Sequence, residues 1–224
     1  MNTIHLVGAV CAEPQLKYTP SGLAILELPL AGKGERTWYH RVTIFGKTAE
    51  AMAETPVGTI VSVLGRLDHQ RWEKDGAKRS AVKVIADAIG TTNGTTTPDA
   101  RSQPVMDAAT NTVFLAGNLT RDPETRETSN GEVTNATIAV NEYRKDSEYT
   151  HFIDVSRWNA PIPGSKGARV GVIGELRTRS FEDKDGVKQY RTEVVASDVL
   201  APDAQPAKRL DIDDDFPALP DLPF

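Results

Sequence analysis

The sequence has a single cysteine, Cys11. No intramolecular disulfide can form, a cysteine-based zinc site is excluded, and the lone thiol fits a reducing compartment. No apolar run approaches the roughly 18 residues of a membrane-spanning helix. The opening MNTIHLVGAV has no basic leader and reads as a strand, not a signal peptide. The four histidines, His5, His40, His69 and His151, show neither i,i+4 pairing nor ligand clustering. Ser-His-Asp, HExxH and P-loop patterns are missing too, so no cofactor, metal or enzymatic chemistry is implied.

A net positive charge is also lacking: 26 Lys/Arg stand against 31 Asp/Glu, a net charge of −5. Its distribution matters more than its sum. Residues 1–90 hold 11 Lys/Arg against 9 Asp/Glu, and residues 111–200 hold 12 against 14. The last 24 residues hold 2 against 6, so much of the excess acid sits at the C-terminus. A basic track on the remainder would have to be local.

What is present is an internal repeat. Asn2-Thr3-Ile4-His5-Leu6-Val7-Gly8 returns as Asn111-Thr112-Val113-Phe114-Leu115-Ala116-Gly117, and Glu13-Pro14 as Asp122-Pro123. Ser21-Gly22 returns as Asn130-Gly131, and the stretch Trp38 to Phe45 as His151 to Trp158. Val61 to Leu67 returns as Val170 to Leu176, and Trp72 falls opposite Phe181. Ordered matches through about 90 residues identify a duplication.

Each unit alternates with period two and carries hairpin signals at Asp75-Gly76 and Asp185-Gly186. Thr48–Glu54 reads as a short helix. Its counterpart NAPIPGSKG carries two prolines and should lack one. Five strands with a helix before the fourth is the order of the OB-fold, a small Greek-key barrel. The expected fold is therefore mainly all-β: two tandem five-stranded OB-fold barrels, with a helix in the first only. The expected boundaries are 1–92 and 110–200 for the folds, 93–109 for a polar linker and 201–224 for a disordered acidic tail. Gly8, Gly65, Gly117 and Gly174 fall within strands and suggest bends or bulges.

Single strands are bound by aromatic faces that stack bases, beside cations that neutralise phosphates. The aromatics, though few, recur in matched places. Tyr39, Phe45 and Trp72 stand in the first unit, and Phe152, Trp158 and Phe181 in the second. Alternation puts Tyr39, Arg41, Thr43 and Phe45 on an outward face and His40, Val42 and Ile44 on the core face. For Tyr39 and Phe45, partial core packing stays open beside stacking, and Trp38 is open between core and surface. Candidate phosphate contacts are Arg41, Lys47, Arg66, Arg71 and Arg79, then Arg157, Arg177, Arg179, Lys188 and Arg191. Asp154 stands where the first unit has Arg41, which should weaken the second unit's contact with phosphate.

The C-terminus sets Asp213, Asp214 and Asp215 before Phe216, and closes on Asp221, Leu222, Pro223 and Phe224. An acidic segment that ends on an aromatic residue with its free carboxylate suits a pocket lined by Arg or Lys on a partner protein.

In these motifs the chain resembles the bacterial single-stranded-DNA-binding protein family, in its branch with two OB-folds per subunit. The opening pattern stands at Asn2–Pro14 and again at Asn111–Pro123, and the family's Trp-His-Arg-Val stretch as Tyr39-His40-Arg41-Val42, ending in Phe45-Gly46-Lys47. The basic-aromatic pair stands as Arg71-Trp72 and, diverged, as Ser180-Phe181. The acidic tip stands as Asp221 to Phe224. The resemblance implies base stacking by Tyr39, Phe45 and Trp72, a homodimer supplying four OB-folds, and a cytoplasmic, nucleoid-associated protein. It also implies a role in replication, recombination and repair with partners recruited through the tip. Departures are Tyr39 in place of tryptophan, Asp154 in place of a cation, and the shortened second unit. The alternative is a primosome-type assembly adaptor that uses its OB-folds mainly for protein contacts.

Overall fold

The computed structural model describes residues 1–74, 77–144, 147–182 and 188–201, with side chains for all but 72–74, 77–79, 143–144, 147–148, 181–182 and 188–190. The expectations for Arg79, Lys188 and the tail tip, and for the rings of Trp72 and Phe181, lie outside the described residues.

The first unit contains β1 (Asn2–Val10), β2 (Gln15–Tyr18), β3 (Ala24–Lys33), β4 (Thr37–Phe45), α1 (Gly46–Met52), β5 (Ile60–Lys74) and β6 (Ala77–Thr91). Strand β1 pairs with both β3 and β5, β5 with β6, β6 in parallel with β4, and β4 with β3. These five strands close a barrel, and β2 is a short flap on β3.

After β7 (Thr96–Pro98) and β8 (Pro104–Met106), the second unit repeats the plan. It contains β9 (Thr110–Leu119), β10 (Glu124–Thr128), β11 (Gly131–Arg144), β12 (Ser147–Trp158), β13 (Arg169–Glu182) and β14 (Lys188–Leu200). The same circuit closes, with β12 and β14 as the parallel pair. Both units are thus OB-folds. Between Trp158 and Arg169 the chain makes turns where the first unit has α1, because Pro161 and Pro163 withhold the amide protons a helix needs.

The period-two pattern decides the inside. Leu26, Leu28, Leu30, Ile44 and Leu67 are buried in the first barrel, as are Leu115, Ile138, Ile153 and Leu176 in the second. Each such side chain contributes roughly 1.5–3 kcal/mol by leaving water. Gly65 and Gly174 sit at matching β-bulges in β5 and β13. A Cβ at Gly65 would collide with the Ile85 carbonyl, and one at Gly174 with the Val195 carbonyl. Gly117 lies as tightly against Ala139, and Gly8 against the Trp38 ring.

The two barrels are joined by strand pairing. Strands β1 and β9 run antiparallel, with Asn2 opposite Leu115, Ile4 opposite Val113 and Leu6 opposite Asn111. Ile4 and Val113 are equivalent repeat positions, so a pseudo-twofold axis passes between them. The Asn2 side chain grips the backbone of Leu67, donating to its carbonyl (2.7 Å) and accepting from its amide (3.0 Å). Asn111 does the same to Leu176 at 2.9 and 3.0 Å.

The linker is also folded. Strands β7 and β8 form a hairpin, and Val105 and Met106 are buried against the first barrel. Gly32 pairs with Met106, which extends the sheet beyond β3.

Candidate nucleic-acid interface

Strand β4 presents the alternating face that the sequence pattern describes. Tyr39 (43% exposed), Arg41 and Phe45 (40%) point outward, while His40, Val42 and Ile44 are buried. Thr43, expected outward with them, is buried. Trp38 belongs to the inward set. Its indole lies against Gly8 and Gly32, where an added Cβ would strike the ring, and it stacks on His40 at 5.3 Å. At 8% exposure its faces are not available to a base. Phe45 and Trp158 close their strands in the same way. Each is followed by a residue in the left-handed region, Gly46 (φ 65°) and Asn159 (φ 54°), and each ring is exposed, Trp158 at 39%.

The pseudo-twofold axis creates two seams between the barrels: β4 against β13, and β12 against β5. They are not alike. At the β4/β13 seam, Leu176 O accepts from His40 Nε2 (2.9 Å) as well as from Asn111. Burial pushes the His40 imidazole down to about 4, so it is neutral at physiological pH. Beside this bond a groove of about 490 Å³ has Tyr39 from the first fold and Trp158 from the second among its walls, with Arg36, Arg177 and Arg179. It shares Tyr39, His40 and Thr178 with a cavity of about 710 Å³ bearing Arg41, Lys83 and Arg101. It also shares Arg36 and Trp158 with one of about 880 Å³ bearing Asn130 and Asn159. The first two hold those six cations against three carboxylates, Glu27, Glu175 and Glu193.

At the β12/β5 seam the equivalent space is filled. His151 Nε2 donates to Glu142 (2.9 Å), and His151 Nδ1 accepts the His69 amide (3.2 Å) and lies 3.7 Å from Asp68. Arg66 bridges Asp87 on its own barrel and Glu142 on the other, the latter at 3.3 Å. Phe152, the counterpart of Tyr39, is half-buried. The Arg71 guanidinium sits 4.7 Å above its ring, and the His69 imidazole meets the ring edge-on at 6.2 Å. Burial first, and then Arg71, hold the His69 imidazole below its ordinary range.

The candidate cations therefore differ in availability. Arg66 and Arg71 are engaged at the filled seam. Arg191 is bound to Asp154 through Nε (3.2 Å) and Nη2 (2.8 Å), so Asp154 removes a second-unit cation as well as replacing one. Arg157 donates to Pro161 O (2.8 Å) and pairs with Asp198. Arg41 and Arg179 are exposed and Arg177 half-buried. They meet Glu27, the buried Glu193 and Glu175 through single contacts of 3.5, 3.3 and 3.4 Å, longer than the two-point grip of Asp154 on Arg191. Lys47 is exposed on α1.

Three groove residues escape the sequence pattern, Arg36 in the β3–β4 turn, Lys83 on β6 and Arg101 on the linker hairpin, as does Asp99, which bonds Tyr39 from the same hairpin. Asp99 Oδ1 accepts the Arg101 and Gln103 amides, both at 2.8 Å, and Oδ2 accepts the Tyr39 hydroxyl. The turn it caps brings Arg101 to Tyr39. Asp99 two residues before an arginine in a polar stretch was the available signal.

Comparison with known proteins matches this architecture. The model of the single-strand binding protein family fits residues 1–92 and again 110–201. The single-stranded DNA-binding protein of Thermus aquaticus is 38% identical over 260 residues, covering 100% of this chain and 98% of that one. Its Deinococcus radiodurans counterpart is 39% identical, covering 90% and 75%. The crystal structure of the wild-type Thermus aquaticus protein superimposes with a TM-score of 0.69 at 35% identity, covering 93% of this chain and 96% of that chain. With two matched repeats, two closed OB barrels and full-length relatives, the chain belongs to the single-strand binding protein family.

Proposed function

We propose that this chain binds single-stranded DNA without sequence preference, protecting it during replication, recombination and repair. The observation that carries the reading is the groove in which Tyr39 of one fold and Trp158 of the other stand among Arg36, Arg177 and Arg179. Aromatic faces supply roughly 1–3 kcal/mol per stacked base whatever its identity, and the arginines supply phosphate contacts. Phe45 and Trp72 extend the stacking set, with Phe181 as the second-unit counterpart of Trp72. Two copies form a homodimer with four OB-folds, and the acidic tip ending at Phe224 recruits replication and repair proteins. No helix of the described residues is long and apolar enough to cross a membrane.

Titration with oligo-dT should quench tryptophan fluorescence and saturate at a defined oligonucleotide length, with affinity falling steeply as salt rises. No quenching and no gel shift at low salt would overturn the reading. The pairing of Arg66, Arg157 and Arg191 with carboxylates or backbone favours, as a second reading, an adaptor that works mainly through protein contacts. That reading expects weak DNA binding beside tight partner binding.

A further inference from the structure

The two seams are built from equivalent strands, so their differences can be read position by position. Tyr39 corresponds to Phe152, Thr178 to His69, Ser180 to Arg71, Arg177 to Asp68 and Glu175 to Arg66. At every one of these positions the β12/β5 seam carries a group that closes the space or pairs across it. Arg71 and His69 cover Phe152, and Arg66 reaches Glu142, which also holds His151. The β4/β13 seam carries small hydroxyls at two of them, Thr178 and Ser180, and they leave Tyr39 beside an open groove with Arg177 and Arg179.

We infer that single-stranded DNA passes from one fold to the other only along the β4/β13 seam, and that the pseudosymmetric β12/β5 seam is a clasp that fastens the folds together. This rests on the single-stranded DNA reading above. It divides the aromatic set by seam rather than by fold. The second fold contributes Arg177, Arg179 and Trp158 to the strand's path, while Phe152, Arg66 and Arg71 hold the molecule together.

The experiment compares equivalent positions in the full chain. Tyr39→Ala and the double variant Arg177→Gln/Arg179→Gln are set against Phe152→Ala, Phe152→Leu and Arg71→Gln. Anisotropy of labelled oligo-dT is measured over a salt series, and thermal unfolding alongside. Tyr39→Ala is expected to lose about tenfold or more in affinity, and to melt no lower than Tyr39→Phe, which also lacks the hydroxyl's bond to Asp99. The double variant is expected to flatten the salt dependence of binding by about 0.7 per lost phosphate contact. Phe152→Ala and Arg71→Gln are expected to melt several degrees lower yet bind within about threefold of wild type. Phe152→Leu keeps the apolar bulk without the aromatic face, so it reports on stacking even if the alanine variant fails to fold. A loss of affinity by Phe152→Leu equal to that of Tyr39→Ala overturns the inference and leaves the DNA-binding reading intact. A wild-type chain that binds no oligo-dT overturns both.

Discussion

The Tyr39 hydroxyl donates to Asp99 Oδ2 across 2.6 Å, joining a barrel strand to the tip of the linker hairpin. Burial, and then this bond, raise the Tyr39 phenol to about 12, while the Asp99 carboxyl is held below its ordinary value, first by the tyrosine and then by the Gln103 amide. At pH 11 Tyr39 should still be a phenol. Difference titration at 295 nm against Tyr39→Phe would show it absent from the ionising tyrosines. Asp99→Asn should bring part of its absorbance change below pH 11, with burial keeping the remainder. A Tyr39 that ionises near 10 in the wild-type chain contradicts this geometry.

His40 makes stability depend on pH. Its folded pKa, about 4, lies below the ordinary 6.5 because the ring is buried. Above 6.5 both states are neutral and the contribution is fully present. As pH falls toward 4 the unfolded chain takes up a proton that the folded one refuses, and stability is lost. The full loss is on the order of 3 kcal/mol. Denaturant midpoints measured between pH 7 and 5 should fall in wild type and stay flatter in His40→Gln. Parallel curves would show that another group is responsible.

Asn111 is more deeply buried than Asn2 although both grip a leucine backbone in the same way. Asn111→Ala should cost roughly 1–3 kcal/mol, since the Leu176 amide then loses its acceptor inside the protein. Asn2→Ala should cost less, because water can reach Leu67. Urea unfolding of both variants tests the order, and a larger loss at Asn2 would reverse it.

Gly65 and Gly174 should each resist alanine. The Cβ would meet a carbonyl oxygen of the paired strand, and backbone yields less readily than a side chain. A loss of roughly 1–3 kcal/mol is expected at each. Gly90, which has open space around it, is the control. Equal midpoints for Gly65→Ala and Gly90→Ala would mean that the bulge relaxes freely.

Much of this was legible in the sequence. The duplication located β1, β4 and β5 with their counterparts β9, β12 and β13, though not β3 and β11, and period-two alternation on β4 separated Tyr39, Arg41 and Phe45 from His40, Val42 and Ile44. Carried two residues further back, the same parity places Trp38 inside. What it could not reveal is that Gly8 and Gly32, distant in sequence, open the space its indole fills. The linker read as polar because only Val105 and Met106 in it are buried, too short a signal to stand out. The helix begins two residues before the expected Thr48, since Gly46 can turn directly out of β4. The seams were the least legible feature. Arg71 and Phe152 meet only because β1 pairs with β9, and no local pattern records that pairing.

The β1–β9 ladder has a consequence for inheritance. When two identical subunits meet across a twofold axis, any coding change is expressed at both related contacts together. Here the related contacts are encoded separately, at Tyr39 and Phe152 or at Thr178 and His69. A mutation can therefore tighten one contact without narrowing the other, and holding the halves together no longer competes with keeping a path clear between them.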